Sequence, residues 1–435
     1  MSRPLRILIS AAEASSCLHA SHLIQALLVE AKERQLSIEL AGIGDEKMST
    51  LPFRVLVRAE SLLAMGTIEV LMRLPQILRA KKQLISESQS WCPDLAVLLD
   101  YPGFHFKLAA ELKSLGVRCI NYIPPKVWVW RSARLKKMKH LFARVLCIFP
   151  FEKEIYERAQ IPVDYIGNPL TDELPMTLTR EEARRQLGLD ADRVQGDARV
   201  VVFLPGSRPS ELRNHIPIAI QALRQVAQHG RALHVLVPFV SEEQLAQSRA
   251  WFETTQLPAL RFHLRVGQSA ACMRAADVGL IKSGTSTLEA GVLGLPHLVV
   301  YKPGPLSLFL FEVLIRRRWL PLRMRGYQGP VGLVNLFSGW KPGVPNRVPE
   351  LFGAACTSEA IAFHLSEIME NTKTRAMQLE ALRALTSLVF SGGTAQGAVA
   401  EQSPSRKAAR IILDEAVRAG GMVHSLGAGP TRGIS

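Results

Sequence analysis

The stretch "LIKSGTSTLEAGVLGLP", residues 280–296, has the residue types and spacing of a phosphate-binding turn. An apolar run ends near its start, and small hydroxyl and glycine residues then open a predicted helix. Free N–H groups and the positive end of the macrodipole at a helix start favour an anion. Glu289 would repel a phosphate, so we expect it to accept hydrogen bonds from a neutral ribose diol. The candidate ligands are Ser283, Gly284, Thr285, Thr287 and Glu289.

The same spacing also fits a purely structural alternative. Ser286 and Glu289 have the separation of a capping box, which would satisfy the helix start without a ligand. A second segment, "VVVFLPGSRPSELRN" (200–214), favours the binding interpretation, because here too an apolar run leads into small residues. Glycine lets the backbone approach an oxyanion closely, and arginine contacts phosphate through two bonds. The two loops together predict a nucleotide diphosphate site, to which the second contributes Gly206, Ser207 and Arg208.

Two acidic residues follow apolar runs nearer the start of the chain. Glu13 comes after "LRILISAA", and Asp100 ends "DLAVLLD". Burial at the end of an apolar strand would raise the pKa of Asp100 toward that of a useful general base. The alternative is a turn cap, because Asp before Tyr-Pro-Gly is good turn chemistry. Both acids are candidate catalytic residues.

The elements that must position these residues alternate between apolar runs and amphipathic segments. Runs such as 5–11, 38–44 and 94–100 show little period-two alternation, which indicates strands buried on both faces. Strand–helix–strand repetition predicts parallel doubly wound sheets, which bind ligands at the carboxyl ends of their strands. We therefore predict an α/β protein with two Rossmann-like domains facing a cleft. Its expected segments are a first domain (1–175), a second domain (198–370), helices that pack back on the first domain (371–418) and a flexible tail (419–435).

The composition narrows the class of protein. The chain has 435 residues, 48% of them hydrophobic, and a formal net charge of +15, which implies an anionic partner. Its six cysteines form no Cys-x-x-Cys pair, and no His, Cys and Asp cluster has metal-ligand spacing. We therefore expect neither a disulfide framework nor a metal centre. No run approaches the ~20 apolar residues that span a bilayer, so we expect a cytoplasmic protein.

Three segments combine apolar with basic residues: 61–82, 122–142 and 305–325. Segments 61–82 and 305–325 are typical of helices that lie on an anionic membrane surface, and the alternative for both is a buried helix edged by charge. In 122–142 two tryptophans precede a basic helix, which favours an aromatic and cationic mouth for a phosphate-bearing or membrane-held substrate. The alternative there is a packed Trp with a solvated helix face. Nucleic-acid binding is the weaker interpretation, because the basic residues flank apolar helices and do not interleave with exposed aromatics. We expect peripheral contact with a membrane and no nucleic-acid partner.

Many short motifs in one order resemble the lipid-A-disaccharide synthase family of GT-B glycosyltransferases. The resemblance covers about residues 5–370. No single motif would be specific for this family, but the order and spacing of so many motifs are specific for it. In the first half they are "AEAS" (12–15), "MGTIEVLMRLPQIL" (65–78), "DYPGF" (100–104), "YIPPKVWVWR" (122–131) and "CIFPFEKEIYERAQIPVDYIGNPL" (147–170). In the second half they are "LPGSRPSELR" (204–213), "SGTSTLEAGVLGLP" (283–296), "VGLVNL" (331–336) and "VPELF" (348–352).

The resemblance implies a reaction and its participants. An inverting transfer would move 2,3-diacylglucosamine from its UDP conjugate to the 6-hydroxyl of 2,3-diacylglucosamine 1-phosphate, leaving UDP and a β-1,6-linked disaccharide 1-phosphate. The second domain would hold the UDP-sugar, with Asn335 and Glu350 added to its ligands, and the first would bind the lipid acceptor, with Asp100 as base. On the acceptor side we place Ser15, Met65, Trp128 and Arg131. The family also implies no cofactor, a homodimer, and a position at the cytoplasmic face of the inner membrane.

The chain departs from the family at its first loop, which reads "AAEASSC" where Ala-Gly-Glu-Ala-Ser-Gly-Asp is usual. Ala12 and Ser16 replace glycine, Cys17 replaces an acid, and His105 replaces the usual asparagine. An added Cβ costs about 1 kcal/mol or more where a turn needs positive φ. Two alternatives to the synthase therefore stay open. One is a catalytically impaired paralogue that binds a UDP-sugar or an anionic lipid, and the other is a GT-B enzyme that uses a different UDP-sugar.

Overall fold

The chain forms two compact units in this computed structural model. It describes residues 3–62, 67–125, 133–189, 198–228, 232–254, 257–304, 332–337, 345–390 and 401–427. The first unit combines Met1–Glu173 with Val389–Ser435, and the second is Leu174–Leu388. The chain therefore leaves the first unit once and returns to it near its carboxyl end.

The first unit is built on a seven-stranded sheet. Its strands are β1 (Leu5–Ala11), β2 (Ile38–Gly44), β3 (Arg54–Arg58), β4 (Leu95–Leu99), β5 (Arg118–Tyr122), β6 (Arg144–Cys147) and β7 (Val163–Tyr165). The order across the sheet is β3-β2-β1-β4-β5-β6-β7, and every neighbouring pair is parallel. The helices are α1 (Ala14–Glu33), α2 (Glu46–Ser49), α3 (Thr67–Trp91), α4 (Pro102–Ser114), α5 (Ala133–Leu141), α6 (Pro150–Arg158) and α7 (Leu170–Glu173), with a short 3-10 helix at Ala59–Ser61.

The central strands of this sheet are apolar because helices cover both of their faces. All five residues of β4 are completely buried, as are Ile7, Leu8 and Ile9 of β1. The chain runs outward from β1 to β3 and then crosses back, so that β4 pairs with β1. The switch point of the sheet therefore lies at the carboxyl ends of β1 and β4.

The second unit repeats this plan with six parallel strands. They are β8 (Arg199–Leu204), β9 (Leu233–Phe239), β10 (Leu260–Val266), β11 (Val278–Lys282), β12 (His297–Tyr301) and β13 (Glu350–Phe352), in the order β10-β9-β8-β11-β12-β13. Its switch point lies between β8 and β11. The helices are α8 (Arg180–Gln186), α9 (Pro209–Gln228), α10 (Glu242–Glu253), α11 (Ser269–Ala275), α12 (Thr285–Val292), α13 (Leu333–Phe337), α14 (Ser358–Glu370) and α15 (Thr372–Phe390), with a 3-10 helix at Gly353–Ala355. The prediction of two doubly wound parallel sheets is confirmed.

The carboxyl-terminal segment differs in detail from the expectation. The predicted helical segment 371–418 is divided, because α15 lies in the second unit as far as Leu388, whereas α16 (Pro404–Gly427) lies in the first. Helix α16 continues to Gly427, so residues 419–427 of the expected tail are helical in the structure. The predicted insertion at 393–405 lies largely outside the described residues.

Helix α16 packs against α1 through apolar residues and a buried ion pair. Its completely buried apolar side chains are Ala408, Ala409, Ile412, Leu413 and Ala416. Nε of Arg406 lies 2.7 Å from Oε1 of Glu30, and both side chains are at most 5% exposed. Within the described ranges, neither this helix nor any other is long and apolar enough to cross a membrane.

Candidate functional site

The loop after β8 has a shape that only glycine allows. Gly206 has φ +113°, and a Cβ on it would lie 2.4 Å from Oε2 of Glu211. The same carboxylate oxygen accepts a hydrogen bond from the backbone N–H of Ser207 at 3.0 Å. Ser207 and Arg208 are exposed. The loop therefore folds around a buried carboxylate and presents a hydroxyl and a guanidinium outward.

The loop after β11 starts a helix, as predicted. Gly284 is the N-cap residue of α12, in an extended conformation, and Thr285 opens the first turn with its side chain exposed. Thr287 is completely buried, and its hydroxyl donates to the carbonyl of Gly284 at 2.8 Å, so this hydroxyl shapes the turn. Because the helix starts at Thr285, Ser286 is not its N-cap residue, and the capping box of Ser286 with Glu289 is wrong. Ser283 and Glu289 are half-buried beside the turn.

The two loops meet, because β8 and β11 are neighbours in the second sheet and Leu204 pairs with Ile281. Glu211, in the first turn of α9, is buried, and its Oε1 lies 2.8 Å from Nζ of Lys282 at the end of β11. Arg208 reaches the same oxygen at 3.3 Å. Burial acts to raise the pKa of Glu211, but the contacts and charges of Lys282 and Arg208 bring that pKa below its ordinary value. The carboxylate is therefore ionised between two cations.

Lys282 was not among the predicted ligands. The available signal was its type, since a lysine is unusual at the end of an otherwise apolar buried strand such as "VGLI". The sequence alone does not show that Lys282 and Glu211 touch, because two strands and two helices lie between α9 and β11 along the chain.

Asn335 and Glu350 contact each other in the second unit. Nδ2 of Asn335 donates to Oε1 of Glu350 and to the carbonyl of Val348, both at 2.7 Å, and its Oδ1 accepts from the N–H of Val348. Oε1 of Glu350 also accepts from the N–H of Gly332 at 3.0 Å. Since Asn335 is buried, these bonds position the start of β13.

Asp100 lies at the switch point of the first sheet in an unusual backbone conformation. Asp100 and Tyr101 have φ +48° and +44°, the left-handed region that bulky residues rarely adopt. Such strain at a strand end is typical of functional sites. Nδ1 of His105 lies 2.6 Å from the carbonyl oxygen of Asp100, and its Nε2 lies 2.8 Å from the hydroxyl of Ser10 in β1. One buried imidazole therefore joins the turn to the neighbouring strand.

Glu13 lies at the same end of the first sheet. It is the N-cap residue of α1, and its backbone N–H donates to the hydroxyl of Ser16 at 2.9 Å. Burial first, and then the negative charge of Glu13, raise the pKa of Tyr101, so the charge of Glu13 acts on the turn that follows Asp100. The candidate acceptor residue Ser15 is half-buried in the first turn of α1. Met65, Trp128 and Arg131 lie outside the described residues.

The substituted residues of the first loop fit without strain. Ala12, Ser16 and Cys17 are buried, and none of them has a positive φ, so the expected cost of an added Cβ does not arise. Burial raises the pKa of the Cys17 thiol to about 12, which keeps it neutral. In the part of the chain that the structure describes, no three His, Cys, Asp or Glu side chains are grouped so as to hold a metal ion.

Comparisons with known proteins relate the chain to one family. Residues 7–396 match the family model for lipid-A-disaccharide synthetase. A lipid-A-disaccharide synthase of Myxococcus xanthus is 30% identical over 414 residues, which cover 95% of this chain and 98% of that protein. A UDP-GlcNAc 2-epimerase of Neisseria meningitidis, solved with UDP-GlcNAc bound, is 12% identical with a TM-score of 0.55, over 95% of this chain and 99% of that one. MurG of Acinetobacter baumannii is 12% identical with a TM-score of 0.52, over 94% and 100%. At such low identity, the two structures are similar to this chain in fold alone.

Proposed function

This chain belongs to the lipid-A-disaccharide synthetase family, and from that premise we propose that it transfers diacylglucosamine from UDP-diacylglucosamine to diacylglucosamine 1-phosphate. It is a glycosyltransferase, and its fold is GT-B. The observation that carries the proposal is the meeting of two small-residue loops at the switch point of the second sheet, where doubly wound folds bind nucleotides.

The second unit binds the donor in this proposal. The backbone of Gly206 and Gly284, the hydroxyls of Ser207, Ser283 and Thr285, and the guanidinium of Arg208 surround the diphosphate, while the half-buried Glu289 accepts from the ribose diol. Charge develops on UDP as the glycosidic bond breaks, and the N–H groups at the start of α12 stabilise it. Thr287, Asn335 and Glu350 act by holding the backbone around this site, because their polar groups bond to it.

The first unit supplies the base and binds the acceptor, with Ser15, Met65, Trp128 and Arg131 on the lipid side. Asp100 removes the proton of the acceptor's 6-hydroxyl, the oxygen attacks the anomeric carbon from the face opposite UDP, and UDP leaves with the bonding electrons. The configuration at that carbon therefore inverts. Glu13, whose charge acts on the same turn, supports this step.

A thin-layer assay with UDP-diacylglucosamine and radiolabelled diacylglucosamine 1-phosphate tests the proposal. Wild type forms the disaccharide, and Asp100→Asn lowers the rate by about 10²- to 10⁴-fold, since general bases contribute that much. Asp164→Asn is the matched control, because Asp164 on β7 pairs with Arg144 on β6 and is not part of the site. If Asp100→Asn keeps the wild-type rate, Asp100 is not the base. If wild type binds UDP but transfers no sugar, the protein is the catalytically impaired paralogue that binds a UDP-sugar.

We also propose that the protein is a homodimer that rests on the cytoplasmic face of the inner membrane. Leu78 of α3 is 48% exposed beside the exposed Arg79 and Lys82, and the net charge is +15. Helices of this type bind anionic surfaces. Sedimentation with vesicles of phosphatidylcholine, with and without phosphatidylglycerol, tests this. Equal binding to both would contradict it, and light scattering that gives the mass of one chain would contradict the dimer.

A further inference from the structure

We propose that Lys282 is a binding residue for the diphosphate of the nucleotide-sugar donor, an inference that rests on the proposed donor site of the second unit. Lys282 is the last residue of β11 and immediately precedes Ser283 and Gly284. The carboxyl end of this strand is one side of the switch point. The side chain therefore starts where the donor loop starts.

The ammonium group lies at the junction of the two loops. Its Nζ is 2.8 Å from Oε1 of Glu211, beneath the β8 loop, and 5.5 Å from the ring centre of Tyr301. A Cβ built on Gly284 would lie 3.8 Å from the same nitrogen, so nothing bulky separates it from the backbone of the second loop. An ammonium has three donors, and one carboxylate oxygen does not occupy them all.

The charge balance explains why a cation is needed here. Glu211 shapes the β8 loop by accepting from Ser207, and its negative charge opposes a diphosphate beside that loop. Arg208 offsets this charge, but its side chain is 45% exposed, whereas Lys282 is 15% exposed and therefore less screened by water. Together, Glu211, Arg208 and Lys282 carry one net positive charge. Without Lys282, the charges of the Glu211 carboxylate and the Arg208 guanidinium cancel.

The alternative role for Lys282 is a purely structural ion pair. Arg184 provides the matched comparison, because its guanidinium pairs at 2.9 Å with Asp277, which precedes the opposite end of the same strand. Both pairs join β11 to a helix of the second unit. A structural pair contributes to the stability of the fold, and only a ligand contact changes the affinity for UDP.

Calorimetric titration of the full chain with UDP separates the two roles. Lys282→Met is expected to raise the Kd for UDP by about tenfold or more, the effect of losing one charge-assisted hydrogen bond. Lys282→Arg keeps most of the affinity, and Arg184→Met has wild-type affinity despite a lower Tm. An unchanged Kd in folded Lys282→Met would overturn the proposal. So would a wild-type Kd in the double variant Lys282→Met with Glu211→Gln, because neutralising Glu211 would then be the whole role of the lysine.

The donor KM of the transfer reaction gives a second readout. It should rise with the Kd in Lys282→Met while kcat changes less, since a ground-state contact is removed. The titration needs no turnover, so it tests Lys282 even if wild type proves inactive, whereas absence of transfer by wild type bears on the proposed function alone.

Discussion

At the scale of single residues, the conformation of Asp100 depends on His105. A carbonyl oxygen only accepts hydrogen bonds, so Nδ1 of His105 carries the proton that bonds to Asp100, and Nε2 accepts from the hydroxyl of Ser10. Burial lowers the pKa of His105 to about 4, and the bond to Asp100 acts in the opposite direction. The imidazole is therefore neutral at physiological pH. It bonds to the backbone of the left-handed turn that carries Asp100.

Replacing this histidine should affect catalysis as well as stability. His105→Leu is expected to lower kcat by about tenfold, since one hydrogen bond that orients Asp100 is lost. It also leaves the buried Ser10 hydroxyl without its partner, which costs about 1–3 kcal/mol of unfolding free energy. His105→Asn, the residue usual in the family, should recover more of kcat. Rate assays and urea unfolding of both variants measure these effects.

The control for this prediction is another buried histidine. His297 in the second unit bonds through Nδ1 to the carbonyl of Leu295 and is completely buried at the amino end of β12. His297→Leu should lose comparable stability and keep the wild-type kcat. If His105→Leu and His297→Leu both lose only stability, His105 does not position Asp100.

At the scale of elements, the return of α16 to α1 is stabilised by a buried ionic contact. Glu30 accepts from Nε of both Arg406 and Arg410 at 2.7 Å, and Arg406 also reaches Glu33. Removing one partner of a buried pair leaves the other charge uncompensated, which is why such changes cost far more than surface pairs. The contact therefore fixes how α16 lies on α1.

Arg406→Met is expected to lower the free energy of unfolding by about 3 kcal/mol, because Glu30 then keeps only its partly exposed arginine partners. Asp414→Asn removes a more exposed pair with Arg34 between the same two helices and should cost less than about 1 kcal/mol. Urea denaturation of both variants measures the difference. Equal losses of unfolding free energy in the two variants would show that burial does not make the Arg406 pair more stabilising than the exposed pair.

The same elements show how far sequence reasoning reaches. The apolar runs predicted the strands, and the small residues at their ends predicted the turn at Gly206 and the start of α12. Both signals lie within a short stretch of sequence. The contacts of Lys282 with Glu211 and of His105 with Ser10 depend on which strands become neighbours, β8 with β11 and β1 with β4. These strands are far apart in sequence, and residue spacing within a segment does not predict which strands will pair. The capping box of Ser286 with Glu289 is wrong because the helix starts at Thr285. The ends of helices and strands are the features that local sequence patterns predict least well.

At the scale of the whole molecule, the chain must close the first unit with a segment that returns after the entire second unit. The contact that closes the unit joins Asp172 to Ser405. Asp172 lies near the end of the first segment of this unit, Met1–Glu173, and Ser405 lies at the start of α16. Oδ2 of Asp172 accepts from the N–H of Ser405 at 3.1 Å and from its hydroxyl at 2.6 Å. Pro404 packs on Gly167, which has φ +93°. A carboxylate thus caps the helix that completes the unit.

The stability of this closure should depend on pH, because Asp172 is buried. Burial raises the pKa of Asp172 to about 6, the bonds from Ser405 lower it, the charge of Glu173 raises it and that of His19 lowers it. The folded pKa lies above the ordinary value of 3.8, so the folded chain holds the proton more tightly than the unfolded chain. The contribution of the protonated group is fully present below that ordinary value and is lost as the pH rises through about 6.

Asp172→Asn removes this dependence, because an amide stays neutral and its oxygen still accepts from Ser405. The variant should match or exceed wild type by about 1–2 kcal/mol above pH 7, and this advantage should shrink as the pH falls through about 6 and disappear below 3.8. Glu173, His19 and His22 are present in both proteins, so the difference between the two unfolding curves isolates Asp172. Thermal unfolding of both full-length chains over this range measures it. Parallel curves would mean that Asp172 is ionised at the same pH in the folded and unfolded chain, and that the closure of the first unit does not sense pH through this group.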